Sequence, residues 1–319
     1  MDTVQVSIFD GHHPFKIDKP LRLIELFAGY GSQALALKYL GAPFEHWKIC
    51  EWAVKSIQAY KDLHFTDDNT DYAASLTKEE IFEELFRLGI SSNYNEPMTF
   101  EQVRRLGEKK ARTVYNNIKA THNLVSVCNT TGDMLEITET DKYCYILTYS
   151  FPCQDLSSAG KGLGMEEGSG TRSGLLWEVK RILSELDELP QMLIMENVPD
   201  VIGEKNIKHF AKWLEWLDNL GYRSKWQIIN ATDFNVPQNR DRCFMVSILG
   251  DYFYDFPVPQ GCERILKDVL EENVGQEYYL KPGTVIKLQE HKARHEEKGN
   301  GFGWKPIDPD GGGVLRKNN

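Results

Sequence analysis

Cys153 follows an apolar, aromatic-rich run (residues 143–149) and the pair Phe151-Pro152, in a stretch dense with Ser157, Ser158, Gly160, Gly162 and Gly164. A cysteine inside a strand is a small hydrophobe and nothing more. Carried past a strand end on a loop of this composition, it is placed to act as a thiolate nucleophile. A thiolate near neutral pH needs cationic or dipolar help, and Arg240 and Arg242, in Gln238-Asn239-Arg240-Asp241-Arg242, can supply part of it. A guanidinium does not give up its proton, so either arginine can also stay bonded to a carbonyl oxygen throughout a reaction. Glu196, in Glu196-Asn197-Val198, ends the apolar run 192–195, where a partly desolvated acid can deliver a proton. Nucleophile, acid and cationic clamp are thus present, although read singly the glutamate is a weak signal and the arginines are also what a surface strand edge carries.

A second group of residues suits a cofactor. Phe27-Ala28-Gly29-Tyr30-Gly31-Ser32 follows the apolar run 21–27, and glycines after a first strand let backbone approach a ligand at the carboxyl edge of a sheet. A third glycine at dinucleotide spacing is missing, and no phosphate loop of the G-x-x-x-x-G-K-S/T kind occurs. The ligand favoured is therefore of nucleoside type without a pyrophosphate. Glu51 can accept from a ribose diol, Trp52 can stack on an adenine, and Asp133, in Thr131-Gly132-Asp133-Met134, can receive an adenine amino group. Read alone, Glu51 is equally a solvated strand end, Trp52 a core residue and Asp133 an ordinary turn aspartate.

These residues must be positioned by strands and helices, and the patterning supplies them in alternation. Residues 21–27, 46–50, 143–149 and 192–195 read as strands. Residues 33–40 read as a helix closed by Gly41, and Leu175, Leu176, Val179, Ile182, Leu183 and Leu186 fall on one helical face. Ile207, Phe210, Leu214, Leu217 and Leu220 recur at helical spacing before Gly221, which suits a C-cap. Residues 226–230 and 243–248 read as a strand pair. Strands alternating with helices predict an α/β fold, a mostly parallel sheet with helices on both faces. Residues 62–129 break the rhythm and are expected to form a helical insertion, with Thr77 and Glu80, then Thr99 and Gln102, set as capping boxes.

Composition bounds the class. The 319 residues are 41% hydrophobic, enough for one large domain and a smaller one, with a formal charge of −10. Acidic balance argues mildly against nucleic acid. Arg104, Arg105, Lys109, Lys110, Arg112 and Lys119, against the single acid Glu108 in that stretch, are favoured as a solvated helix face. No run suits a membrane span and residues 1–20 lack the apolar centre of a signal peptide, so a cytoplasmic protein with no membrane partner is expected. Six cysteines without C-x-x-C spacing suggest neither a metal site nor a disulfide framework.

The four signatures, the glycine loop, Phe-Pro-Cys-Gln, Glu-Asn-Val and Gln-Asn-Arg-Asp-Arg, in this order over about residues 21–248, resemble those of the DNA (cytosine-5) methyltransferase family. The resemblance implies a Rossmann-like methyltransferase fold and S-adenosylmethionine-dependent methylation of cytosine C5 in double-stranded DNA, in a bacterial or phage modification system and hence in a bacterial cell or phage-infected host. It implies that Cys153 adds to cytosine C6, that Glu196 contacts N3 and the exocyclic amine, and that Arg242 and Arg240 hold O2 and the site geometry. It places Phe27, Gly29, Gly31, Glu51, Trp52, Asp133, Pro152 and Leu175 around the cofactor, and it implies a flipped base over which residues 157–165 close.

The family's last two motifs are not found beyond Ile248, and Gly299-Asn300-Gly301-Phe302 is not a convincing substitute. Residues 1–250 are therefore expected to be the catalytic domain and 251–319 the start of a target-recognition region, in a truncated enzyme or one half of a split enzyme whose partner chain carries the rest. The alternatives are a methyltransferase acting on transfer RNA and a subunit inactive without its partner. A cysteine hydrolase is disfavoured, since no histidine lies in the signature segments to act as its base.

Overall fold

In the computed structural model, which describes residues 13–152, 165–168 and 171–299, the chain begins with a two-residue strand β1 (His13–Pro14). It continues through β2 (Leu21–Leu26), α1 (Ser32–Tyr39), β3 (Phe44–Cys50), α2 (Val54–His64), α3 (Lys78–Leu88), α4 (Phe100–Arg105), α5 (Gly107–Ala120) and β4 (Cys144–Tyr149). The elements α6 (Leu176–Ser184), β5 (Met192–Asn197), α7 (Ile207–Asn219), β6 (Tyr222–Asn230), β7 (Asp241–Leu249) and β8 (Tyr252–Phe253) complete the first of two units, which extends to Cys262.

Six strands form one sheet in the order β3-β2-β4-β5-β7-β6. The first four run parallel, and β7 runs antiparallel to both β5 and β6. Five strands therefore share a direction, and their carboxyl ends share an edge. Strand side chains alternate between faces. Along β4, Tyr145, Leu147 and Tyr149 join the core under α6 and α7, while Cys144 and Ile146 join the core that contains Ala34 and Leu37 of α1. Both faces are covered by helices, as the pattern predicted. Burying each large apolar side chain contributes about 1.5–3 kcal/mol, which explains why the central strand β4 is apolar throughout apart from Thr148, whose hydroxyl reaches Ile24 O.

Residues 62–129 do form a helical insertion. Its helices α3, α4 and α5, with α2, bury Ile57, Ile81, Phe82, Leu85, Val103, Val114 and Ile118 in a core of their own. Both predicted capping boxes exist: Thr77 accepts from Glu80 N–H while the Glu80 carboxylate accepts from Thr77 N–H, and Thr99 with Gln102 repeats the arrangement. Arg104, Arg105, Lys109, Lys110 and Lys119 are exposed, and Arg105 pairs with Glu101 on its own helix, the solvated face expected, whereas Arg112 is half-buried and donates to Ala73 O at 2.6 Å. Glycines end helices where expected too, with Gly41 and Gly221 at φ 66° and 95°.

The second unit starts at Glu263 and, among its described residues, holds two short 3-10 turns and α8 (Pro282–Glu296). Pro282 opens that helix, where a missing N–H costs nothing. No helix among the described residues is long and apolar enough to cross a membrane.

Candidate active site

The glycine loop leaves β2 with Phe27 and Gly29 in left-handed backbone (φ 59° and 57°), followed by Gly31 at φ 82°. It is held from below. Glu25 of β2 is fully buried, and its carboxylate accepts from Tyr60 Oη at 2.6 Å and from Ala34 N–H, in the first turn of α1, at 3.3 Å. Burial pushes the Glu25 carboxyl up to about 7, against the pull of those donors. Tyr60 Oη also meets His46 Nδ1 at 3.0 Å. Burial pushes His46 down to about 3, so it is a neutral imidazole, and the phenol that donates to Glu25 accepts from Nδ1–H. A Cβ on Gly31 would lie 2.6 Å from the Tyr60 ring and against His64 Nε2, so glycine is required there by ring packing.

Glu51, just past β3, is 7% exposed. Its Oε2 accepts from Gly29 N–H at 2.9 Å and its Oε1 from Ala53 N–H at 2.6 Å. Each carboxylate oxygen keeps a further lone pair. Burial pushes this carboxyl up to about 7, opposed by the N–H donors of Ala53, Gly29 and Trp52. The Asn123 side chain grips the same segment: its Oδ1 accepts from Glu51 N–H and Val125 N–H, and its Nδ2 donates to Glu51 O.

Above these residues lies a cavity of about 380 Å³ whose walls include Phe27, Glu51, Trp52, Pro152 and Leu175. Five of the eight residues expected around the cofactor therefore converge. Gly29 lines a neighbouring cavity instead, and Gly31 and Asp133 line neither. Asp133 starts a short 3-10 turn and accepts from the Thr131 hydroxyl. Sequence patterning missed Cys50, Tyr94, Asn95, Thr171, Arg172 and the strip 125–128, which complete the described wall.

The neighbouring cavity, of about 720 Å³, shares Phe27 with the first and contains Glu196, Arg240 and Arg242. Glu196 lies within β5 opposite Phe244 of β7, one residue along from the Asn197–Cys243 pair. Arg242 Nε reaches Glu196 Oε1 at 2.8 Å and Arg240 Nη2 stands 4.0 Å from the same oxygen. With the Arg242 and Glu196 side chains about one-fifth exposed, the pair is partly desolvated, where a charge-assisted bond is stronger than at an open surface.

Cys153 and residues 154–164 lie outside the described residues, but the backbone leading to Cys153 is fixed. Asn197 Nδ2 donates to Phe151 O at 3.0 Å, and Ser173 Oγ donates to Pro152 O at 2.9 Å. Both side chains are buried, with 2% and no exposure. The Glu-Asn-Val segment thus does two things: its glutamate faces the larger cavity and its asparagine anchors the approach to the cysteine. Of the other described cysteines, Cys50, Cys144 and Cys243 are buried and their thiols are pushed up by burial, to about 12, 11 and 11, which leaves them inert, whereas Cys128 and Cys262 are exposed.

A family model described as C-5 cytosine-specific DNA methylase matches residues 85–311. The Type II methyltransferase M2.ScrFI of Lactococcus lactis subsp. cremoris is 37% identical over 268 residues, covering 83% of this chain and 71% of that protein. The orphan methyltransferase M.SssI of Spiroplasma monobiae is 35% identical over 281 residues, covering 86% of this chain and 71% of its own length. Among solved structures, the S. pombe Dnmt2 methyltransferase superposes with a TM-score of 0.52 at 16% identity, over 85% of this chain and 66% of that one, a likeness of fold.

Proposed function

The chain belongs to the C-5 cytosine-specific DNA methylase family, and we propose that it methylates cytosine C5 in double-stranded DNA through a covalent bond from Cys153 to C6. The observation that carries this reading is the Glu196–Arg242 pair, set in a cavity that meets the nucleoside-sized cavity at Phe27. S-adenosylmethionine fits the smaller cavity: Trp52, Phe27 and Leu175 offer apolar and aromatic walls, Glu51 offers acceptor lone pairs for ribose hydroxyls, and the glycine loop lacks the third glycine of a dinucleotide loop. When bound, it supplies the electrophilic methyl group that C5 accepts.

The Cys153 thiolate forms the bond to C6. Glu196, holding N3 through a proton and accepting from the exocyclic amine, lets the ring take up the electron pair so that C5 becomes nucleophilic. Arg242 orients Glu196 through the 2.8 Å bond and, with Arg240, carries the cations that hold O2. Loss of the C5 proton to a base and expulsion of the thiolate then restore the aromatic ring. The target atom is out of reach inside a duplex, so the base is flipped, at a cost of a few kcal/mol. The enzyme acts, on this reading, as the modification enzyme of a bacterial or phage system in the cytoplasm.

Transfer of labelled methyl from S-adenosylmethionine to unmethylated DNA, with transfer RNA in parallel, tests the reading. Label on DNA cytosine C5 that vanishes in Cys153→Ser is expected. Label on transfer RNA alone overturns the DNA assignment, and transfer only after a second polypeptide is added assigns this chain to a split enzyme.

A further inference from the structure

The helical insertion reaches the smaller cavity at the strip 125–128, where it rejoins the sheet, and at one turn within it, residues 91–96. Ser91 pairs with the segment after β3: its N–H donates to Trp52 O at 2.7 Å, and its carbonyl accepts from Val54 N–H at 2.9 Å. The turn is tied to itself as well. Ser91 Oγ, fully buried, donates to Glu96 O at 2.7 Å, and Asn93 Oδ1 accepts from the N–H groups of Asn95 and Glu96. These bonds hold Tyr94 at φ 63°. A left-handed conformation in a bulky residue is strained and persists only where its surroundings over-determine it, commonly at ligand clamps.

The strained position presents two side chains to the cavity wall, Tyr94 and Asn95. Both are tethered from outside the turn: Tyr94 Oη meets Ser56 Oγ of α2 at 3.1 Å, and Asn95 Oδ1 accepts from Arg172 Nη1 at 2.5 Å. With its oxygen given to the guanidinium, Asn95 keeps its amide N–H donors for an acceptor, and Tyr94 adds an aromatic ring to a wall that already holds Trp52. An aromatic ring and N–H donors match the base of a nucleoside, whose faces stack and whose ring nitrogens accept.

We propose that Tyr94 and Asn95 bind the adenosyl part of the methyl donor, so that the insertion is part of the cofactor site as well as a packed appendage. The proposal rests on the reading of this cavity as the cofactor's, and its test separates the two. Binding of S-adenosylhomocysteine to the full chain is measured by calorimetry for the wild type, Trp52→Ala, Tyr94→Ala, Tyr94→Phe and Asn95→Ala, alongside KM for S-adenosylmethionine and for DNA. Tyr94 and Asn95 are exposed, and unliganded melting temperatures confirm that each variant folds. Tyr94→Ala and Asn95→Ala are expected to weaken S-adenosylhomocysteine about tenfold and raise the donor's KM alike, without a matching fall in kcat or a change in KM for DNA, while Tyr94→Phe retains most of the affinity. Weakening by Trp52→Ala with wild-type affinity in both alanine variants overturns this proposal alone. Unaltered affinity in Trp52→Ala as well overturns the assignment of the cavity.

Discussion

Asn197 shows how one short side chain can serve chemistry it never touches. Its amide bond to Phe151 O, buried at the edge where β4 and β5 lie side by side, sets the direction in which the chain enters Cys153. Truncation to alanine leaves a buried carbonyl unpaired, which costs about 1–3 kcal/mol, and frees the approach to the nucleophile. Asn197→Ala is expected to lower kcat on the order of tenfold to a hundredfold, in line with the loss from small misplacements of a reacting group, while affinity for S-adenosylhomocysteine changes less than twofold. Single-turnover methyl transfer with an unaltered rate would remove the anchoring role. Ser173 grips the next carbonyl, from Pro152, so a second bond limits the damage.

At the scale of elements, local signals were legible and long-range ones were not. The capping boxes at Thr77 and Thr99 and the glycine ends at Gly41 and Gly221 are written within four residues of where they act, and all are found. The strand Met192–Asn197 runs on past the apolar stretch through Glu196 and Asn197, because pairing with β7 continues where hydrophobicity stops. Tyr94 and Asn95 could not be found from pattern, since the bond from Ser91 to Trp52 joins segments about forty residues apart and leaves no periodic mark. Asp133, chosen from a turn sequence, shows the reverse: a plausible local setting whose side chain is engaged by Thr131 away from the cavity wall. For Cys153 the structure describes the approach and the resemblance supplies the role. The α3 cap offers a test at this scale: Thr77→Ala removes both side-chain contacts with Glu80 and is expected to cost about 1 kcal/mol of stability. Urea unfolding reads it, and a loss below a few tenths of that would mean the box is idle.

For the whole molecule, buried acids set how stability follows pH. Glu25 and Glu51 sit at about 7 when folded against an ordinary value near 4.5. The folded state thus holds their protons over a range in which the unfolded chain has released them. Their contribution is fully present below about 4.5 and is lost as pH rises through about 7. His46, pushed down to about 3, works the other way: its contribution is present above about 6.5 and lost as pH falls toward 3. Glu25→Gln isolates one acid. The stability of the wild type relative to this variant is expected to fall by a few kcal/mol between pH 5 and pH 8, measured as the shift in urea midpoint at each pH. A difference independent of pH would mean that Glu25 does not take up its proton in the fold.

The bridge between Ile49 and Asn123 bears on how the chain finds its fold. The central strands β2 and β4 pair residues as distant as Leu21 and Cys144, a loop whose closure entropy would ordinarily slow assembly. Because the insertion starts and ends at one place, its helices can collapse on local contacts and draw Ile49 and Asn123 together, after which only about twenty residues separate the bridge from β4. The excursion that lengthens the chain thereby shortens the search: during synthesis the insertion is complete before β4 leaves the ribosome, and it delivers that strand to a neighbour already in place.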